Sequence, residues 1–146
     1  MNYISLETIL SRGETFSPRV LYKLLHPLVE QLIEMRDSGN VSNNGQLTTK
    51  SIIFSPDYKN VEVFSVSANE QKNIKDWGDI ILKVISQVGY NDKRLNMIAG
   101  DCITGKIDSL EELHLQLERR INRSIYKLII AIVLLGLAIM AIINFL

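Results

Sequence analysis

The chain has 146 residues, and its 16 Lys and Arg are balanced by 16 Asp and Glu, for a formal net charge of zero at pH 7. That balance argues against the broad basic surface that nucleic-acid binding needs. One cysteine, Cys102, leaves no intramolecular disulfide and fits a reducing compartment. The histidines, His26 and His114, lie far apart in sequence, with no cysteine pair or carboxylate cluster at ligand spacing, so neither a metal nor another cofactor is expected.

Ser5 to Leu10 predicts a short helix with Ser5 as its N-cap, stopped at Ser11-Arg12-Gly13. Ser17-Pro18 opens a second helix, serine as cap and proline at the first helical position. Val20, Leu21, Leu24, Leu25, Leu28, Leu32 and Ile33 give it a wide apolar face, with a kink or locally loosened turn expected at Pro27 and Gly39 as its end. The turn-rich segment 37–46 leads to a predicted hairpin. Its strands are Ser51–Phe54 and Val61–Phe64, joined by a tight turn at Pro56-Asp57-Tyr58-Lys59-Asn60. A third helix is expected from about Ile74 to Val88 and a fourth from Lys93 to Ile103. A fifth begins at Ser109, with Asp108 or Ser109 capping and Glu111 or Glu112 at its positive end.

The last nineteen residues, Leu128 to Leu146, carry no charge. As a helix they would reach ~28 Å, close to the ~30 Å hydrocarbon thickness of a bilayer. Arg119, Arg120, Arg123 and Lys127 precede them. The expectation is a tail-anchored, single-pass membrane protein. Its domain over 1–120 would be held in the cytoplasm by a basic juxtamembrane segment, 121–127, that flanks the lipid bilayer. Residues 109–146 are read as one long helix, or as two with a bend near Asn122-Arg123-Ser124.

Several phrases resemble the helical C-lobe of a protein kinase. SLETILSRGETFSPRVLYKLLHPLVEQLIEMRDSG is similar to the stretch after a kinase hinge, and NGQLTTKSIIF to the catalytic loop. VEVFSVS resembles the strand entering the metal-binding Asp-Phe-Gly, NIKDWGDIILKVISQVG the buried central helix, and CITGKIDSLEELHLQLERR the closing helices. The resemblance implies a mainly α, C-lobe-like helical domain with a small β-hairpin, followed by one transmembrane helix. It also implies that the chemistry is gone. Asn44 and Gly45 stand where the catalytic-loop histidine and arginine would be, Gln46 at the catalytic aspartate and Ser51 at the magnesium-holding asparagine. Ser65, Val66 and Ser67 replace Asp-Phe-Gly, Asn73 falls at the buried-helix aspartate, and Gly78 keeps its glycine. Residue 1 falls where a hinge would end, so no nucleotide lobe is expected. Phosphoryl transfer rests on positioned phosphates and metals, and none of those parts is present.

The function expected is therefore non-catalytic: a membrane-tethered scaffold or adaptor in an assembly, binding a protein or a second copy of this chain. A pseudokinase domain beside a membrane helix is the plan of membrane subunits of type VII secretion systems. The face an N-lobe would cover offers the candidate partner-binding residues Tyr3, Phe54, Tyr58 and Phe64. The rival reading is an inhibitor or immunity-type protein whose anchor binds a toxin or channel in the bilayer.

Overall fold

The computed structural model describes residues 3–14, 16–89 and 92–145, without the side chains at 18, 19, 88, 120–126, 136–139 and 141–145. In chain order the elements are β1 (Ile4–Ser5), α1 (Leu6–Ser11), α2 (Pro18–Asp37), β2 (Ile52–Phe54), β3 (Val61–Val63), α3 (Glu70–Val88), α4 (Lys93–Ile103) and α5 (Leu110–Phe145). Side-chain caps start the helices. Ser5 Oγ accepts from Thr8 N–H at 3.2 Å, Ser17 Oγ from Val20 N–H at 3.3 Å and Asn69 Oδ1 from Lys72 N–H at 3.1 Å. Asp92 Oδ1 accepts from both Arg94 and Leu95. Each oxygen satisfies a donor that a helix N-terminus cannot pair internally.

The three strands form an antiparallel sheet in the order β1-β2-β3. Ile4 pairs with Phe54, and Ile52 with Val63. Alternation along the strands sends Ile52, Phe54, Val61 and Val63 into the core and leaves Glu62 in solvent. The open edge of β3 is covered by Gln31 of α2. Its Oε1 accepts from Val63 N–H at 3.0 Å, and its Nε2 donates to the Val61 carbonyl. A side-chain amide thus completes strand hydrogen bonds that would otherwise invite another chain.

The core lies between this sheet and the helices. Leu21, Leu24, Leu25, Leu28 and Leu32 of α2 are buried, and α2 lies along α5, whose Leu110, Leu113 and Leu117 are fully buried. The spacing of three and four residues places these three leucines on one stripe. α3 contributes Ile74, Trp77, Ile81 and Val84 and crosses α4 at Gly78. A Cβ there would meet the Ala99 carbonyl oxygen at 2.7 Å and Cys102 Cβ at 3.0 Å, so only glycine lets the two helices come so close.

The expected fold class is corrected on two points. The hairpin is part of a three-stranded sheet, because Ile4–Ser5 adds to β2. The expected transmembrane helix at 128–146 is not upheld: among the described residues no helix is long and apolar enough to cross a membrane. The described consecutive apolar side chains beyond Lys127 run from Leu128 to Leu135, eight residues. That is about 12 Å of helix against a ~30 Å hydrocarbon layer. The expectation for 136–139 and 141–146 falls on side chains outside the described residues. The tail-anchored, single-pass location and the membrane-flanking role of Arg119, Arg120, Arg123 and Lys127 rested on that anchor and fall with it. Arg119 and Lys127 are both exposed on α5, while the side chains of Arg120 and Arg123 are outside the described residues. α5 is one helix from Leu110 to Phe145, without a break at Asn122-Arg123-Ser124.

Candidate functional site

Two loops and the start of α3 form a closely hydrogen-bonded polar region. The segment around Ser42–Gly45 runs against Val66–Ala68. Ser42 N–H donates to the Val66 carbonyl and Ala68 N–H to the Ser42 carbonyl, both at 3.0 Å. α3 then pins both loops. Lys72 Nζ donates to the Gly45 carbonyl at 3.0 Å. Buried Asn73 accepts from Ser67 N–H at 3.0 Å and donates to the Ser67 carbonyl at 2.8 Å. Asp76 accepts from the backbone of Leu47.

This arrangement places the residues singled out around the catalytic-loop phrase. Gln46 is exposed. Ser51 is buried, its hydroxyl donating to the Thr48 carbonyl at 3.0 Å and accepting from Thr48 N–H at 2.8 Å. Ser67 is also buried, its Oγ accepting from Asn69 N–H at 3.1 Å, whereas Ser65 is exposed with a left-handed φ of 69°. These hydroxyls close turns and the backbones of the two loops fill the space between them. On α3 the carboxylate that reaches the loop at 42–51 is Asp76, one turn beyond Asn73. Burial pushes the Asp76 carboxyl above its ordinary value, against the lowering effect of Lys72 and of the Leu47 N–H.

The four candidate partner residues divide into three environments. Phe54 is only 4% exposed and belongs to the core. Tyr3 and Phe64 are exposed, 38% and 50%. Tyr3 donates to Glu62 Oε1 at 3.0 Å, crossing from the β1 side to β3, and that hydrogen bond holds its pKa up. Tyr58 sits at the tip of the β2–β3 turn with φ 54° and its hydroxyl donates to Glu14, which raises its pKa. Its ring packs edge-on to Phe16 with centroids 5.7 Å apart, and Phe16 in turn lies 5.7 Å from Phe54.

Sequence reasoning does not single out Phe16 and Val20 as site residues. Together with Tyr58 and Leu24 they line an open cleft of about 620 Å³ between the start of α2 and the hairpin tip, rimmed by Glu14, Lys23, Asp57 and Lys59. The sequence signal for it is Val20, at the edge of the α2 apolar face, which the structure leaves 37% exposed. The structure also brings His26 and His114 together, although the sequence separates them widely. No protein-family model, curated protein or solved structure matches this chain.

Proposed function

We propose that this chain is a non-catalytic protein-interaction domain that binds a peptide segment of a partner in the Phe16–Val20–Tyr58 cleft. The cleft itself carries the reading. It is concave, floored by aromatic and aliphatic side chains and rimmed by charges of both signs, the build of a site that anchors an apolar side chain and orients its polar neighbours. A rigid aromatic wall adds to it, since Phe54 in the core backs Phe16 and Tyr58. The non-catalytic part is supported by the engagement of Ser51 and Ser67 in local turns and by the absence of a carboxylate at Gln46.

A random peptide library panned against the purified chain tests this. Enriched peptides should carry an apolar anchor and lose binding to Val20→Glu and to Tyr58→Ala, with the helical circular-dichroism signal intact. No enrichment, or binding that both variants retain, overturns the cleft as the interface. Magnesium-ATP should leave the melting temperature unchanged. Saturation at a hundredfold over Kd would add about 2.7 kcal/mol, so a magnesium-dependent rise would be evident and would overturn the non-catalytic reading.

A further inference from the structure

His26 and Glu30 stand one helical turn apart on α2, so both side chains leave the same face. His114 comes to that face from α5, its ring centroid 4.2 Å from that of His26 with the planes at 44°. Glu30 Oε1 lies 3.6 Å from His26 Nδ1 and 3.4 Å from His114 Nε2. One ligand atom from each of the three residues falls within 4.8 Å of the other two. Hydrogen bonds between nitrogen and carboxylate oxygen are normally 2.7–3.2 Å, so these contacts are long for that purpose. They are close to another length. Tetrahedral bonds of 2.0–2.1 Å to nitrogen and oxygen set neighbouring ligand atoms ~3.3 Å apart.

We propose that His26, Glu30 and His114 form a binding site for a divalent transition ion, zinc by its ligand set, that clamps α2 to α5. Two imidazoles and one carboxylate are a recognised zinc donor set and leave a fourth position for water. The carboxylate offsets part of the ion's charge. Both histidines are about three-quarters buried and so held by packing, while Glu30 is half exposed, which gives the ion a route in from solvent. The clamp joins the two helices whose leucine stripes already meet, so the backbone need not rearrange to accept the ion.

Isothermal titration of the full chain with zinc chloride, after treatment with a chelator, should give one-to-one binding and a rise in melting temperature. His26→Gln and His114→Gln should each lose that isotherm and that rise, with the fluorescence of buried Trp77 unchanged as a check on folding. Absence of zinc binding to the unaltered chain, or binding that survives in the double variant, overturns the proposal. Cobalt(II) gives a measurement that needs no variant. The unaltered chain should develop the strong visible bands of a four-coordinate ion with nitrogen and oxygen ligands. A thiolate-to-metal charge-transfer band would assign the ion to Cys102 and overturn it as well.

Discussion

Gly45 and Val66 meet backbone to backbone, so closely that a Cβ on Gly45 would stand 2.1 Å from the Val66 carbonyl oxygen and 2.9 Å from Ser67 N. No flexible side chain can give way there, because the obstructing atoms belong to the opposite loop. Gly45→Ala should therefore pry the two loops apart and destabilise the chain by about 1–3 kcal/mol, the usual cost of forced overpacking. Chemical denaturation monitored by Trp77 fluorescence measures it. An unchanged midpoint would mean the loops are not in contact.

Asn73 satisfies both backbone groups of Ser67 from inside the fold. Asn73→Ala strands a buried N–H and a buried carbonyl, at about 2–4 kcal/mol for the pair. Asn73→Asp keeps the acceptor but not the donor, and presses a carboxylate against a carbonyl. Both variants should melt lower than the unaltered chain, and hydrogen exchange at Ser67 N–H should accelerate. Continued protection of that amide in Asn73→Ala would count against the pairing.

The Asp76 carboxyl has its pKa raised by burial, and its Oδ2 has no hydrogen-bond partner among the described residues. The folded state therefore holds this proton more tightly than the unfolded state. Its stabilising contribution is complete below the ordinary carboxylate pKa and is lost as pH rises through the raised folded value. At neutral pH Asp76→Asn, whose amide oxygen can still accept from Leu47, should be at least as stable as the unaltered chain. That advantage should shrink as pH falls through the raised folded value to the ordinary carboxylate pKa. An advantage that grows with acid would reverse the sign of the argument.

Much of the helical layout is written in local chemistry. Ser5, Ser17-Pro18 and the Lys93–Ile103 pattern coincide with observed helices because caps and periodic apolar residues act over one turn. The start of α3 lies earlier than its apolar pattern, at Glu70, since the cap is the polar Asn69 and the first turn is hydrophilic. Pro27 lacks the N–H that would bond to the preceding turn, and it lies inside α2, which continues on both sides of it from Pro18 to Asp37. β1 spans two residues, too few for alternation to show, and exists only through its pairing with Phe54 and Ile53. The candidate sites were less legible. Phe54 and Phe64 differ by ten positions along one hairpin, yet the former lies in the core and the latter in water, because Val61 and Val63 face inward and Phe64, one position on, falls on the outward side with Glu62. The meeting of His26 with His114 is set by how α2 lies on α5, which no short stretch of sequence encodes.

Cys102 is buried beside the α3–α4 crossing, and burial, with Asp101 and Glu112 nearby, pushes its thiol up to about 12. Thiolate is the reactive form, so the native chain should react slowly with Ellman's reagent at pH 8 and rapidly in denaturant. Gly78→Ala, which wedges the same crossing open, should accelerate the native reaction. Fast labelling of the unaltered chain would show the crossing to be loose.

Because α5 continues as one helix of 36 residues from the leucine stripe that packs on α2, the helical phase of its distal part is tied to that stripe. Its length is about 54 Å, and each added residue rotates the distal part by roughly 100°. Inserting a single alanine after Lys127 would change the phase of everything beyond it while leaving the core stripe in place.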